Sequence, residues 1–349
     1  MTQKWDFSLL LLILAIGSIS LLVIFAINPN LAKTQMIFWL IGLFLLVAFS
    51  FFDFRNWQKL SIPIYLASIL TLLVLPFIGE SVRGSTRWID LGFFRIQPSE
   101  IAKVASIFIL SSYYLSRSAR KFQSLIVSFL IVSPHAVLVL IQPDIGNALA
   151  FFAIWLGISY AAGFQVKHLV WTIVIAAIAA ILAYEFLAPY QKERIAGFID
   201  PQADPLGRGY NLIQSKIAVG AGQLTGKGLG QGSQSQLNFL PEAESDFIFA
   251  SIAEQLGFIG AGLLIVFYIS LIIKILNLVK KKERFAQLLI IGTVSFLLLQ
   301  FFVNVGMNMG LVPVTGITLP LVSYGGSSLI TTLFLMGIIF SIKRLAVED

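Results

Sequence analysis

Long apolar runs recur along the whole chain, and they constrain its fold more than any other feature. The 349 residues are 58% hydrophobic and only 12% charged. A run of about 20 apolar residues is long enough to cross the hydrocarbon core of a bilayer as an α-helix. The runs leave no stretch of soluble-domain size between them. The sequence therefore predicts an all-α polytopic membrane protein, with residues 1–349 as one domain, and excludes a soluble globular protein.

These runs predict about ten membrane-spanning helices. The predicted spans are residues 7–27, 35–52, 60–79, 98–115, 122–140, 145–162, 168–187, 246–275, 286–308 and 326–342. Most of the 24 Lys and Arg residues fall on the same side as the N-terminus, so the positive-inside rule places both termini in the cytoplasm. The net charge of +7 then reflects orientation beside anionic membrane lipids, and we expect no nucleic-acid partner.

The predicted topology leaves a large extracytoplasmic loop, residues 188–245, between helices seven and eight. Loops of this length are uncommon and are usually functional or disordered. Residues 212–224 carry an apolar stripe at helical spacing, which predicts an amphipathic helix on the membrane surface. The glycine-rich run 226–236 fits no nucleotide-binding motif, so we expect no nucleotide or organic cofactor and interpret the run as flexible backbone near a ligand.

Two further outer segments differ from ordinary connections. Residues 79–97 read as a polar loop with aromatic residues suited to the membrane interface. Residues 310–328 hold two prolines and a Tyr-Gly-Gly turn within otherwise apolar sequence. Irregular backbone at membrane depth is tolerated only where it is buried in protein or lines a water-filled cavity. We therefore expect residues 310–328 to border the same cavity as the long loop.

Several carboxylates stand at the mouth of the eighth predicted helix. Glu242, Glu244 and Asp246 follow Pro241 within one and a half turns, and Glu254 lies two turns further along. One reading of Asp246 is a helix N-cap, but a cap needs one acceptor and this segment supplies three carboxylates. Charged groups beside lipid are costly, which favours a functional site. For Glu254, a structural hydrogen bond and contact with a substrate are equally open.

Other ionisable residues lie at outer helix ends. Glu100 and Lys103 are three residues apart on one helix face, so they form either a local ion pair or part of a functional site. Asp144 follows Pro143 and has an N-cap as its alternative role. The cations of the outer segments suit phosphate oxygens or ordinary anionic headgroups; they are Arg83, Arg87, Arg95, Arg194, Arg208, Lys216 and Lys227. Together these residues predict a substrate with a phosphorylated head and a long apolar tail.

Longer stretches of the chain resemble a known family. GSTRWIDLGFFRIQPSEIAK, QPDIGNAL, GKGLGQGSQSQLNFLPEAESDFIF and GLVPVTGITLPLVSYGGSS are similar to the SEDS family (shape, elongation, division and sporulation), in that family's order. The glycine-rich segment GKGLGQGSQSQLNFLPE resembles the elongation members of the family more than the division members. The resemblance implies a peptidoglycan glycosyltransferase on the outer face of the bacterial cytoplasmic membrane. It would polymerise lipid II onto a nascent glycan strand, with a class B penicillin-binding protein as partner.

The resemblance also assigns roles to individual residues. Asp246 takes the position of the catalytic aspartate and is expected to act as general base. Because the leaving pyrophosphate gains charge, a divalent cation, Mg²⁺ or Mn²⁺, is also expected at Asp246 and Glu242. Glu244 departs from the family, which usually has His there, and an acid at this position could help to bind a cation. Glu100 and Lys103 match a residue pair of the family and are expected to contact the substrate. The charges of the outer segments and helix ends add further expected contacts, independently of the resemblance: Arg87, Asp144, Arg208, Lys216, Glu242 and Glu254.

Two other functions remain open at this point. A lipid II flippase or other transporter would use the same substrate, with the carboxylates as ion-coupling sites. A non-catalytic scaffold would only hold a transpeptidase in the membrane.

Overall fold

The computed structural model describes residues 6–82, 85–92, 94–165, 170, 189–280 and 282–345. Over these residues the protein is mostly helical, which confirms the predicted class. The described helices are α1 (Phe7–Ile27), α2 (Pro29–Phe51), α3 (Asn56–Ile78), α4 (Pro98–Tyr113), α5 (Phe122–Ile141), α6 (Ile145–Ala161), α7 (Pro189–Ile199), α8 (Tyr210–Ala221), α9 (Ser233–Gln236), α10 (Ile248–Asn277), α11 (Arg284–Met309) and α12 (Gly326–Leu345).

Seven of the described helices are long and apolar enough to cross a membrane: α1, α2, α3, α5, α10, α11 and α12. Helices α4 and α6 are shorter, with 16 and 17 residues, and they fall on the fourth and sixth predicted spans. The seventh predicted span, 168–187, lies outside the described residues except for residue 170. The total of ten spans therefore stays a prediction.

The second helix shows how local chemistry sets a boundary that hydropathy misses. Helix α2 begins six residues before the predicted span. Asn28 accepts hydrogen bonds from the N–H groups of Asn30 and Leu31, at 3.0 and 3.4 Å. Pro29 occupies the first helical position, where its missing N–H has no cost.

A small antiparallel sheet occupies the segment read as a polar loop. Its strands are β1 (Glu80–Val82), β2 (Ser85–Asp90) and β3 (Arg95–Ile96), in the order β1-β2-β3. This sheet was not predicted from the sequence. Ser327 fixes its end against α12, because its Oγ accepts from the Gln97 N–H at 3.0 Å and donates to the Arg95 carbonyl at 2.9 Å.

Helices α11 and α12 form the centre of the bundle and are the most buried of the long helices. Helix α12 packs along α2, and α11 packs along α6. Helices α1, α2 and α3 instead turn large apolar side chains outward, including Phe25, Phe44 and Phe77. Such faces suit contact with lipid chains.

Both ends of the described chain lie at one end of the bundle. Lys343, in the last turn of α12, forms an ion pair with Asp6, just before α1. Burial alone would raise the pKa of Asp6, but hydrogen bonds from Lys343, Ser8 and the Leu9 N–H lower it to about 2. Lys274, near the end of α10, also bonds to Ser8, at 2.8 Å. The first turn of α10 therefore lies at the opposite end, which we call the cavity end.

Helix α10 is broken at Gly257, whose φ of 69° and ψ of −169° are not helical. The break frees backbone groups on both sides, and the glycine-rich segment pairs with them. The Lys227 N–H donates to the Glu254 carbonyl at 2.9 Å, and the Phe258 N–H donates to the Gln223 carbonyl at 2.8 Å. This part of the glycine-rich run is thus packed backbone against backbone, unlike the flexible surface expected from sequence.

The Gly257 break generates a stability prediction. A Cβ at this position would meet the backbone nitrogen of Gly226 and the backbone oxygen of Leu224, and its φ is strained for any L side chain. We expect Gly257→Ala to lower the free energy of unfolding by at least about 1–3 kcal/mol. Thermal unfolding of the purified protein in detergent measures this. Gly262→Ala is the matched control, since a Cβ there meets nothing within 4 Å; equal unfolding temperatures for the two variants would contradict the prediction.

Candidate functional site

A cavity of about 140 Å³ lies where the long loop meets the mouth of α10. We call it the Asp246 cavity. Two carboxylates and two guanidinium side chains line it together. Its lining residues are Arg194, Gly197, Phe198, Arg208, Asn211, Leu212, Pro241, Glu242, Asp246, Phe247 and Val314. The expectation that the long loop and residues 310–328 border one cavity is confirmed, because Val314 belongs to the second of these segments.

A compact turn, residues 241–247, carries the two carboxylates of the cavity. Glu242 has a φ of 55°, in the left-handed region that non-glycine residues rarely adopt. Its carbonyl accepts from the N–H groups of Ser245 and Phe247, at 3.2 and 3.1 Å. Its Oε2 accepts from the Ser245 hydroxyl at 2.8 Å. These hydrogen bonds hold the strained backbone and direct this part of the turn toward the cavity.

Asp246 does not act as the N-cap of α10. The helix starts at Ile248, the N-cap position belongs to Phe247, and the Phe247 side chain makes no capping hydrogen bond. The Ala250 N–H, in the first turn, is instead bonded to Asn308 Oδ1 at 2.9 Å. The capping alternative is therefore wrong for Asp246, which is half-buried and lines the cavity.

Neighbouring elements hold the backbone of the turn. The carbonyls of Glu244, Ser245 and Asp246 all accept hydrogen bonds from outside the turn. The donors are, in order, the Tyr324 N–H at 2.8 Å, the Ser323 hydroxyl at 2.6 Å, and Nδ2 of both Asn304 and Asn308 at 3.0 Å. Neither asparagine was among the predicted site residues. Their only signal is that polar amides one turn apart occur in an apolar helix, where they need partners.

Gly316 forms the wall opposite Asp246. Its φ is +76°, and a Cβ there would lie 3.4 Å from Asp246 Oδ2 and 3.8 Å from Arg194 Nη1. Arg194 also donates to the Val314 carbonyl at 3.4 Å. Arg194 was one of several outer cations in the sequence and not an expected substrate contact. The structure places it beside Asp246, together with the predicted contacts Arg208 and Glu242.

Five polar residues form a separate network, which we call the Glu100 network: Arg87, Glu100, Lys103, Asp144 and Asn147. Lys103 Nζ lies 2.6 Å from Glu100 Oε1 and 2.9 Å from Asn147 Oδ1. Asn147 Nδ2 donates to Asp144 Oδ2 at 2.8 Å, and Arg87 Nη1 lies 3.7 Å from the same oxygen. The Lys103 and Glu100 side chains are 0% and 2% exposed. Two positive and two negative groups thus balance each other inside the protein.

Residues 314–317 lie between the Asp246 cavity and the Glu100 network. Val314 lines the cavity and Gly316 faces Asp246, while the start of α6 at Gly146 packs against Ile317. None of the Glu100 network lines the cavity. Asp144 caps α6 by accepting from the Asn147 N–H at 3.1 Å, as its alternative role predicted. Substrate contact by the four ionisable members of the network stays a prediction.

Glu254 and Lys216 also lie outside the cavity lining. Glu254 is fully buried and accepts from the backbone N–H groups of Gln234 and Ser235, at 2.9 and 3.0 Å. The Lys227 ammonium lies 3.6 Å away. These contacts fit the alternative in which Glu254 makes structural hydrogen bonds. They stabilise the short helix α9. Lys216 is exposed on α8, and its role as a substrate contact also stays a prediction.

The predicted helix of the long loop is confirmed, since a helix covers Tyr210–Ala221. Helix α8 buries Leu212, Ser215 and Ala218 and packs against α10 and α11. Two residues of the predicted stripe, Ile217 and Leu224, are exposed. Contact of that stripe with lipid stays a prediction.

Glu244, the departure from the family pattern, lies close to Tyr324. Burial raises the pKa of the Tyr324 hydroxyl, the Glu244 carboxylate raises it further, and Arg95 lowers it. Glu244 is absent from the lining of the Asp246 cavity. The Glu244 carboxylate thus acts electrostatically on Tyr324, and its role in binding a cation stays a prediction.

The two carboxylates of the cavity suit a metal site whose remaining ligands come from the substrate. Among the residues that the structure describes, no group of three or more His, Cys, Asp or Glu side chains could hold a metal ion. Mg²⁺ is often bound by one or two carboxylates with phosphate oxygens of the substrate. Glu242 and Asp246 fit such a shared site, and the cation stays a prediction.

Comparisons with known proteins agree with this geometry. The sequence model of the FtsW/RodA/SpoVE family, described as "Cell cycle protein", matches residues 3–347.

The chain belongs to the FtsW/RodA/SpoVE family.

Individual relatives of this family member cover nearly the whole chain. Peptidoglycan glycosyltransferase MrdB of Escherichia coli K12 is 35% identical over 344 residues, which are 97% of this chain and 93% of MrdB. Stage V sporulation protein E of Bacillus subtilis is 35% identical over 321 residues, covering 90% of this chain and 87% of that protein. These matches confirm the resemblance drawn from the motifs.

Two solved structures share the fold of this family member. A chain described under "Structural coordination of polymerization and crosslinking by a peptidoglycan synthase complex" is 31% identical, with a TM-score of 0.85 and 99% coverage of both chains. The rod shape determining protein RodA of Thermus thermophilus is 27% identical, with a TM-score of 0.76 and 99% coverage of both chains.

The Glu100 network generates a second prediction. Lys103→Met leaves the buried Glu100 carboxylate without its ammonium partner, so we expect a loss of about 3–5 kcal/mol in the free energy of unfolding. The double variant Glu100→Gln/Lys103→Met removes both charges and should recover much of that loss. Thermal unfolding of the single and double variants measures the difference. A double variant as unstable as Lys103→Met would show that charge pairing is not the cause.

Proposed function

We propose that this FtsW/RodA/SpoVE family member is a peptidoglycan glycosyltransferase that polymerises lipid II into glycan strands during cell-wall elongation. The observation that carries the proposal is the Asp246 cavity. It presents a half-buried carboxylate, on a backbone held from two sides, next to two guanidinium groups. Relatives with the name peptidoglycan glycosyltransferase support the same activity.

Asp246 is the general base in this proposal. Chain extension joins the 4-hydroxyl of one lipid-linked sugar to the anomeric carbon of another, while undecaprenyl pyrophosphate leaves and the configuration inverts. A hydroxyl is a weak nucleophile near neutral pH, so a carboxylate within hydrogen-bond reach must accept its proton as the new C–O bond forms. Asp246 suits this role because its side chain borders the cavity. The Ala250 N–H, in the first turn of α10, is bonded to Asn308 Oδ1.

Arg194 and Arg208 are the groups best placed to stabilise the leaving pyrophosphate. Guanidinium groups donate paired hydrogen bonds to phosphate oxygens, and fixed cations stabilise the charge that develops on the leaving group. Arg87 and Lys103, expected from sequence as substrate contacts, pair with Asp144 and Glu100. An Mg²⁺ or Mn²⁺ ion at Glu242 and Asp246 would add positive charge beside the same pyrophosphate.

The proposal also includes orientation and partners. With both termini in the cytoplasm, the cavity end faces outward from the bacterial cytoplasmic membrane, where lipid tails can reach it from the bilayer. The structurally similar chain comes from a complex whose description couples polymerization with crosslinking. A class B penicillin-binding protein therefore fits as the transpeptidase partner of this chain, beside membrane lipids and the nascent glycan strand.

The flippase and scaffold alternatives lack a comparable observation. A flippase requires a polar path for the head group across the bilayer. The charged pair within helix α4, Glu100 and Lys103, does not form such a path, because both side chains are buried and their charges are paired. A scaffold requires no carboxylate beside paired arginines in a cavity.

A polymerisation assay tests the proposed function. Purified protein with labelled lipid II, a divalent cation and its partner should make glycan strands. Asp246→Asn should lower the rate by about 10²–10⁴-fold, because the amide accepts no proton. Asp53→Asn, at the opposite end of the bundle, is the charge-matched control and should keep the activity.

Gel electrophoresis of the labelled strands measures the product, and co-purification shows that the partner stays bound. Full polymerisation by Asp246→Asn would overturn the assignment of the base. Movement of lipid II across vesicles without polymer would favour a flippase, and neither activity would favour a scaffold.

The two arginines of the cavity generate a further prediction. Arg194→Gln should lower kcat/KM for lipid II by about 10–100-fold, because it removes hydrogen bonds to the pyrophosphate. Arg194→Lys should recover little of that loss, since an ammonium cannot donate two parallel hydrogen bonds. Arg95→Gln is the control, because its guanidinium is exposed and pairs with Asp90. Steady-state kinetics measure these values, and a native kcat/KM for Arg194→Gln would remove the residue from the site.

A further inference from the structure

We propose that Asn304 and Asn308 are positioning residues for Asp246. Both amides lie on α11 with 0% exposure, and neither lines the Asp246 cavity. They act by holding the backbone of the turn and by capping α10 from a neighbouring helix. This inference rests on the proposed function, because it explains how the general base is oriented.

The partners of Asn308 fix which way its amide points. The Asp246 carbonyl can only accept, so the atom 3.0 Å from it must be the donor Nδ2. The Ala250 N–H can only donate, so the atom 2.9 Å from it must be the acceptor Oδ1. One planar amide thus bridges the carbonyl before α10 and an N–H within its first turn.

Asn308 takes the hydrogen bond that a local capping residue would normally make. A helix N-cap side chain accepts from the second or third N–H of its helix, and Asp is among the favoured residues. Ala250 is the third residue of α10, and its N–H is already bonded to Asn308 Oδ1. The Asp246 carboxylate is therefore not required at the helix terminus, where backbone N–H groups and the helix dipole would otherwise attract it.

Asn304 connects the same carbonyl to the opposite wall of the cavity. Its Nδ2 donates to the Asp246 carbonyl at 3.0 Å and to the Ile317 carbonyl at 2.7 Å. Gly316, next to Ile317, is the residue that faces Asp246 Oδ2. A single amide therefore connects the backbone that carries the carboxylate to the backbone beside the wall that the carboxylate faces.

The pair also joins the long loop to this arrangement. The Ser215 hydroxyl on α8 donates to the Asn308 carbonyl at 2.8 Å. Asn308 Nδ2 donates in turn to the Asn304 carbonyl, one helical turn away, at 2.8 Å. The two buried side-chain amides thus bond to the turn before α10, to α11 and to the 310–328 segment. Helix α8 joins this arrangement through the Asn308 backbone carbonyl.

Gln300 provides a matched control on the same helix. It lies one turn before Asn304, is 1% exposed, and its Oε1 has no hydrogen-bond partner. Replacing Gln300 with leucine removes a buried amide of α11 without removing a bond to the turn. Its effect on stability then reports what the loss of an amide at this depth does by itself.

The first test is kinetic. Asn308→Leu should lower kcat for polymerisation by about 10–100-fold, because a displaced general base slows proton transfer. The KM for lipid II should stay within about twofold, since the residue does not contact the substrate. Gln300→Leu should keep the native kcat. Rates are divided by the folded fraction from size-exclusion chromatography, and a native corrected kcat for Asn308→Leu would overturn the inference.

The second test needs no enzymatic activity. The chain has no cysteine, so Asp246→Cys introduces a single thiol at the position of the base. Its rate of modification by a methanethiosulfonate reagent reports how the side chain is presented to the cavity. Adding Asn308→Leu should change that rate at least about threefold, whereas adding Gln300→Leu should leave it unchanged. Equal rates in all three proteins would overturn the inference.

The two tests separate this inference from the proposed function. If the native protein makes no polymer but Asn308→Leu changes the thiol rate, the function fails and the positioning role stands. If the native protein makes polymer while Asn308→Leu keeps both kcat and the thiol rate, the positioning role fails and the function stands. Should Asn308→Leu fail to fold, Asn304→Leu takes its place, because it removes one donor to the Asp246 carbonyl and leaves the cap on Ala250.

Discussion

Backbone hydrogen bonding in a medium without water is the constraint on which this structure depends. An unpaired N–H or C=O group within lipid costs several kcal/mol, so a membrane chain departs from regular helix only where protein supplies the missing partners. Both irregular features near the cavity follow that rule. The break at Gly257 is closed by the backbone of the glycine-rich segment, and the mouth of α10 is closed by Asn308.

The two sets of charges differ in what they can do. In the Glu100 network, two cations and two carboxylates are paired within protein, so their fields largely cancel for an incoming ligand. In the Asp246 cavity, two arginines and two carboxylates line a common space. The first arrangement stabilises helix ends, and the second suits proton transfer beside a phosphorylated group.

Periodicity and composition predicted much of this architecture. The apolar runs predicted every described long helix, and the acidic cluster predicted a functional site at the mouth of α10. Other features have no local signal. The break at Gly257 depends on a glycine-rich segment about 30 residues earlier, which a hydropathy window cannot see. Arg194 resembled other loop cations until the fold brought it to Gly316.

The sequence by itself determined that this chain is a helical membrane protein with carboxylates at one helix mouth, because burial of apolar surface follows directly from residue type and spacing. Tertiary structure alone decided that Asp246 lines the cavity while a neighbouring helix accepts the hydrogen bond from the first turn of α10. That outcome depends on Asn308, 62 residues away from Asp246, whose amide reaches the turn only once α11 packs beside α10. Long-range pairing of this kind leaves no periodic trace in the chain, since the two partners need only meet in space.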